Sequence, residues 1–359
     1  MKNGKVGIGI IGFGGIARGA HFRSGYEKLP SQCEVLAVAD IRADRCDEAK
    51  GEFGIPDAYE DYKKLLERDD IDAVSVCTPN GVHCQASIDA LNAGKHMLCE
   101  KPMAMNSAEC GRMIEAERAT GKKLQIGFNM RYSPGAQSLK RAIEAGNFGE
   151  IYHAAARAIR RRRAPVGGVF LNKELNGGGP LIDIGVHITD MTLWLMGHPQ
   201  PVATVGSAPC KLGKTPGMVG EWGAWAPDEF TVEDFASAYI RFADGRTMTL
   251  LASFLANIDQ EHFDTQIFGT GAGAFFDANA GKYTMYREEF GSLTDTTLGW
   301  LPHLPSTHGE EIRQFLRAIK DDLTIEDVGA ATGTQARMVT QIMDAIYKSH
   351  EVGGEVAIV

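Results

Sequence analysis

The chain lacks cysteines at Cys-x-x-Cys spacing and any cysteine–histidine set at metal-ligand spacing. It also lacks an unbroken run of the roughly 18–20 apolar residues that a membrane span needs. Each absence removes a class. The seven cysteines (Cys33, Cys46, Cys77, Cys84, Cys99, Cys110 and Cys210) read as reduced thiols, several of them in apolar runs, not as a disulfide framework. Cys84 follows His83, but two adjacent donors make a poor metal site, and no metal is expected. Positive charge is also in deficit: 46 acidic against 37 basic residues leave a net charge of −9, which argues against a nucleic-acid partner. The basic start at residues 1–5 is followed by an apolar stretch cut by Gly7, Gly9, Gly12, Gly14 and Gly15. With no small-residue cleavage site, neither a signal peptide nor a membrane anchor is expected, and the cytoplasm is the simplest compartment.

What is present is the composition of a globular protein, 44% hydrophobic and 23% charged over 359 residues. Single cores stop growing near 250–300 residues, so two domains are expected.

Residues 6–11 are a short β-rich run that ends at Gly12. A helix is expected over residues 16–26 and a second apolar strand over residues 34–39, ending at Asp40. Strand, glycine turn, helix and strand make a right-handed βαβ unit. In Gly12-Phe13-Gly14-Gly15-Ile16-Ala17 the first glycine allows a tight turn and Gly14 lets the backbone approach a pyrophosphate. Ala17, in the third glycine's place, permits close helix–strand packing. The helix N-terminus offers N–H groups and partial positive charge to phosphates. Asp40 lies 23 positions after Ala17, where a carboxylate accepts from ribose hydroxyls. It favours NAD, while Arg42, two residues on, leaves NADP open.

Further strands are expected over residues 73–77 and 96–99, with a helix over 83–93 between them. They end at Thr78-Pro79-Asn80 and at Glu100-Lys101-Pro102. Open parallel sheets bind ligands beyond the carboxyl ends of their strands, and Gly12, Asp40, Thr78 and Glu100 all fall at such ends.

Cys77-Thr78-Pro79-Asn80 with His83, then Glu100-Lys101-Pro102, then Gly178-Gly179-Pro180-Leu181-Ile182-Asp183-Ile184-Gly185-Val186-His187 resemble the glucose–fructose oxidoreductase, inositol dehydrogenase and rhizopine-catabolism (Gfo/Idh/MocA) family. The likeness runs nearly end to end, including Ala345-Ile346-Tyr347-Lys348-Ser349 before Val356. It implies an α/β chain: a Rossmann dinucleotide-binding domain over residues 1–130, then an α+β domain with an open, mostly antiparallel sheet over 131–359. The last helices would pack back near the Rossmann domain, and the exposed sheet face would join copies into a homodimer or homotetramer. Strands are expected at residues 152–159 and 236–242, with a hairpin at Asp244-Gly245 leading into 247–254. Helices are expected at 310–319 and 332–346. Gly269-Thr270-Gly271-Ala272-Gly273 reads as a hairpin turn and not as a second nucleotide loop.

The same likeness implies an NAD(P)-dependent sugar or polyol dehydrogenase. Alcohol oxidation needs a base for the hydroxyl proton while hydride leaves carbon. Asp183 and His187 are four apart and share a face on a helix. An imidazole, with an ordinary pKa of about 6.5, suits a general base, and the carboxylate orients it. Lys101 at its strand end is placed to stabilise a developing alkoxide. Lys101, Asp183 and His187 are therefore the expected catalytic trio, and all three are also expected to touch substrate. The expected cofactor contacts are Gly12, Phe13, Gly14, Gly15, Ile16, Asp40, Arg42, Thr78, Pro79, Asn80, His83, Glu100, Lys101 and Arg131.

Arg160-Arg161-Arg162-Arg163 ends a strand, and alternate arginines point to opposite faces. The run reads either as a solvated edge or as substrate contacts from Arg161 or Arg163. Tyr132 and Arg163 are expected at the substrate, and the irregular stretch 208–229 with Trp222 and Trp225 is a candidate sugar contact. His308 and Tyr286 are weaker candidates. The expected partner is a small sugar, polyol or glycoside. Two alternatives remain at this point: a glycosidase that uses bound NAD without net redox, and a nucleotide-sensing regulator without chemistry.

Overall fold

A computed structural model describes residue 1 and residues 4–359. Lys2 and Asn3 of the basic start lie outside the described residues. The chain divides into two compact units: Met1–Asn129 with Leu304–Arg337, and Met130–His303 with Met338–Val359. The sequence reading placed one break, at 130/131. The structure assigns the later segment Leu304–Arg337 to the first unit as well.

The first unit holds a seven-stranded sheet in the order Ala331–Thr332, Leu124–Gly127, His96–Glu100, Ala73–Val76, Val6–Ile11, Cys33–Ala39, Asp57–Tyr59. Six strands are parallel and the two-residue strand Ala331–Thr332 pairs antiparallel with Leu124–Gly127. The central strands are buried throughout, Val6, Ile8 and Ile10 being wholly inaccessible, as expected of a parallel sheet covered on both faces. Strand order reverses between Val6–Ile11 and Ala73–Val76, and that switch point is where such sheets bind ligands. The expected helix over 16–26 is instead a wide π-helical turn, Ala17–Arg23, followed by a short 3-10 turn, Tyr26–Lys28.

The second unit is built on a nine-stranded sheet. Its pairs are antiparallel except for Ile151–Ile159 beside Thr247–Ser253, which run parallel. The Asp244-Gly245 and Gly269–Gly273 turns join antiparallel strands as expected. Helix Val186–Leu195 packs against strands Ile151–Ile159 and His262–Gly269. Among the described residues no helix is long and apolar enough to cross a membrane, and no group of three or more histidine, cysteine or carboxylate side chains could hold a metal. None of the seven cysteines is in a disulfide, and six of them are buried.

Candidate active site

In the first unit the glycine turn is built by close approach. Gly12 has φ +83°, and a Cβ there would meet Cys77 C and O and Thr78 N at 2.8 Å, so the two strand ends at the switch point touch through this residue. Phe13 is wholly buried, its ring edge-on to Phe53 at 5.2 Å. A Cβ on Gly15 would meet nothing within 4 Å, and one on Gly14 only Arg45 Nη1 at 3.7 Å. No side chain caps the wide turn that follows. An open cradle of backbone at an uncapped helix N-terminus fits a pyrophosphate.

Asp40 is buried at the neighbouring strand end. Its Oδ2 accepts from Phe13 N at 2.8 Å and from Arg45 Nη1 at 3.0 Å, and its Oδ1 accepts from Arg42 N at 3.0 Å. The Arg42 guanidinium turns away to an exposed pair with Asp44. Arg45, one helical turn further on, is the guanidinium that pairs with Asp40.

His83 is buried, with Nδ1 2.8 Å from Pro102 O and Nε2 2.8 Å from Thr78 O. Its ring thus ties the Thr78 loop to the Lys101-Pro102 loop. Burial pushes its pKa down, against the two carbonyls. It holds the walls of the site together and does not present a nitrogen outward. Glu100 behaves similarly: the expected cofactor contact is buried, its carboxylate accepting from His21 Nε2 at 2.9 Å and from Lys101 N at 3.1 Å. Lys101 itself is half-buried at the end of strand His96–Glu100.

In the second unit the Gly178-Gly179-Pro180 turn is equally constrained. A Cβ at Gly178 would meet Tyr347 Oη at 2.0 Å, and one at Gly179 would meet Glu233 O at 2.2 Å. Buried Glu233 accepts from Gly179 N at 2.9 Å, Leu181 N at 3.1 Å and the Tyr347 hydroxyl at 2.9 Å. It thereby caps the start of a second π-helical turn, Leu181–Gly185, which runs into helix Val186–Leu195. Every other residue of that helix is buried, and His187 is not. Asp183 sits in the wide turn, 3.7 Å from Arg160 Nη1. The Arg160 guanidinium lies under the half-exposed Trp222 ring at 4.8 Å and beside Phe254 at 5.7 Å.

The comparisons decide the family. Residues 6–128 match the oxidoreductase family with an NAD-binding Rossmann fold, and residues 136–275 match the GFO/IDH/MocA C-terminal domain. The chain is 32% identical to D-glucoside 3-dehydrogenase of Escherichia coli K12, over 99% of this chain and 98% of that protein. It belongs to the Gfo/Idh/MocA family. A second relative, the Myo-inositol 2-dehydrogenase of Thermotoga maritima, is 28% identical over 96% of each chain. The solved oxidoreductase domain protein from Kribbella flavida superposes with a TM-score of 0.84 at 25% identity over 99% of both chains.

As a Gfo/Idh/MocA member the chain is an NAD-binding oxidoreductase. Several of the expected ligand contacts are also engaged within the protein. Arg131 is 1% exposed, its Nε and Nη2 on the Asp190 carboxylate at 2.8 and 2.5 Å and Nη2 3.3 Å from His198 Nε2. A guanidinium withdrawn from water needs such a paired carboxylate, and Asp190 supplies it for Arg131. Tyr132 beside it is buried. Arg163 is held by Glu221 at 2.9 Å and Glu261 at 2.6 Å. Arg160, which sequence passed over for Arg161 and Arg163, is the arginine that reaches Asp183. Trp225 donates to Gly213 O at 2.7 Å and packs on Phe230, leaving Trp222 as the outward indole.

Proposed function

We propose that this chain oxidises or reduces one hydroxyl-bearing carbon of a sugar, polyol or glycoside, using NAD. A glucoside and an inositol are the substrates named for the two relatives, and likeness to the first spans almost the whole chain. The observation that carries the reading is His187: the single accessible position on a helix otherwise buried, placed just beyond the wide turn that presents Asp183.

Gly14, Gly15 and the start of the wide turn Ala17–Arg23 would hold the pyrophosphate, and Asp40 would receive the adenosine ribose. NAD held there would supply the acceptor for the hydride that leaves the substrate carbon. His187 accepts the hydroxyl proton, a role suited to imidazole near neutral pH. Asp183, an anion beside Arg160, orients that imidazole and favours its charged form. Lys101 donates to the reacting oxygen as alkoxide character develops. Trp222, its ring backed by the Arg160 guanidinium, forms an aromatic plate for the apolar face of a sugar ring.

The same proposal includes a cytoplasmic protein, supported by seven cysteines that form no disulfide. It also includes a homodimer or homotetramer formed through the outer sheet face, where Val205 and the facing Tyr239 are exposed apolar side chains.

The test is an absorbance screen at 340 nm of sugars, polyols and glycosides with NAD and NADP. Formation of NADH with an intact carbohydrate skeleton is expected. Glycoside cleavage without net NADH would transfer the assignment to a redox-assisted glycosidase. Tight NAD binding with no turnover on any of them would leave a sensor.

A further inference from the structure

Glu100 poses a physical problem inside the nucleotide unit. A carboxylate taken out of water is costly unless it is paired and fully hydrogen-bonded, yet this side chain is only 5% exposed. The pairing comes from the wide turn that follows the glycine loop. His21 on that turn is wholly buried, with Nε2 2.9 Å from Glu100 Oε1 and Nδ1 3.1 Å from Ser75 Oγ. Ser75 Oγ is in turn 2.6 Å from the Tyr26 hydroxyl. Because Glu100 accepts, Nε2 carries the proton. The other carboxylate oxygen, Oε2, accepts the backbone N–H of Lys101 at 3.1 Å.

Other groups act on the same carboxylate. His308 and Lys101 contribute positive charge, and His21 adds its own. Glu311, on the helix Thr307–Lys320 with His308, feels the negative charge of Glu100. Cys77, Cys99 and His83 also respond to that charge. Burial alone would raise the Glu100 pKa. The His21 hydrogen bond and charge, with His308 and Lys101, bring it instead to about 2.

We propose that His21 is a positioning residue for Lys101 that acts through Glu100: its imidazole keeps the buried carboxylate ionised and turned onto the Lys101 N–H, so the lysine leaves its strand end in one direction. The proposal rests on the reading of Lys101 as the donor to the reacting oxygen. Hydrogen bonding on both oxygens fixes the rotamer of Glu100, and an oriented neighbour is what a catalytic group needs to be held within a fraction of an ångström. The connection also explains why the wide turn exists. A turn with an extra residue advances His21 to a position from which it reaches both Ser75 and Glu100, a typical use of π-turns at functional sites.

The test uses His21→Leu, His21→Gln and Glu100→Gln in the full-length protein, with kcat, KM for NAD, NAD binding and the pH profile of kcat as readouts. Without the imidazole, burial dominates and the Glu100 pKa rises, so His21→Leu should acquire an acid limb absent from the parent. Its kcat should fall about tenfold to a hundredfold while the Kd for NAD stays within about threefold. His21→Gln, whose amide can still donate to Glu100, should restore the parent profile. Combining His21→Leu with Glu100→Gln should cost no more than Glu100→Gln alone, because the charge to be held is gone. A His21→Leu protein with unchanged kcat and pH profile overturns the proposal, as does a His21→Gln protein as impaired as His21→Leu. If His21→Leu does not fold, adding His21→Gln to Glu100→Gln must leave kcat unchanged, and an additional loss overturns the proposal. Lys101→Ala separates the two levels: full activity in that variant defeats the underlying assignment, whereas an inactive Lys101→Ala beside a normal His21→Leu defeats only this inference.

Discussion

The backbone N–H of Phe13 donates to Asp40 Oδ2 at 2.8 Å, so the glycine turn and the acid at the next strand end are one structure. A carboxylate fixed in this way repels a 2′-phosphate, and the nearby Arg42 does not relieve it because its guanidinium is paired with Asp44. Asp40→Ser should therefore shift the ratio of kcat/KM for NAD to that for NADP by about tenfold or more toward NADP, roughly 1.4 kcal/mol. Arg45, relieved of its partner, would assist the added phosphate. Parallel initial-rate measurements with both nucleotides check this, and an unchanged ratio would remove Asp40 from cofactor selection.

The two indoles of the irregular stretch should separate by phenotype. Trp222 is half-exposed over Arg160, while Trp225 hydrogen-bonds Gly213 O at 2.7 Å. Trp222→Ala should raise the sugar KM about tenfold with little change in melting temperature. Trp225→Ala should chiefly lower stability, by about 1–3 kcal/mol. Thermal melts alongside substrate titrations distinguish them, and the reverse pattern would place the sugar against Trp225.

Acid sensitivity should have an identifiable source at His198. Burial, with the charges of Arg131 and Lys140, pushes its pKa down to about 3. Its Nε2, facing Arg131 Nη2 at 3.3 Å, is an acceptor in the folded state. Below the ordinary imidazole pKa of about 6.5 the unfolded chain takes up a proton that the folded chain refuses, so stability falls as the pH drops from about 6.5 toward 3. His198 has φ +54°, a conformation that asparagine also adopts readily. His198→Asn should cost stability at pH 7.5, and that gap should narrow by about 1–2 kcal/mol by pH 5. Denaturant titrations at both values check the slope; a gap independent of pH would mean that His198 contributes no linkage.

Much of the fold could be read from local pattern. The short apolar runs, their glycine punctuation and the acid after the second strand placed the nucleotide unit, and the parallel order of its sheet follows from right-handed crossovers. The hairpins at Asp244-Gly245 and Gly269–Gly273 were legible because their turn residues tolerate unusual backbone angles. The two π-turns were not. Each inserts a residue into a helical turn, which a search for 3.6-residue periodicity absorbs without trace, and each carries a key side chain, His21 or Asp183.

The candidate site was legible as residue types and not as partners. Lys101, Asp183 and His187 stand out because their chemistry suits alcohol oxidation. Arg131 and Glu100 carry equally suggestive side chains, yet both turn inward to partners 59 and 79 positions away in the chain, Asp190 and His21. Glu233, which holds the Gly178-Gly179 turn, had no signal at all: its partners are two backbone N–H groups and the Tyr347 hydroxyl, each more than 50 positions distant. Sequence spacing cannot report pairings that only the closed fold creates.

The central claim is that Lys101 and His187 perform the chemistry while the glycine turn and Asp40 hold the nucleotide. The most direct measurement is NADH formation by Lys101→Ala and His187→Asn on the parent's best carbohydrate, paired with NAD binding by titration calorimetry. Both variants should bind NAD within about threefold of the parent and lose at least about a thousandfold in kcat, roughly 4 kcal/mol of transition-state stabilisation. Near-parental turnover in both would contradict the account.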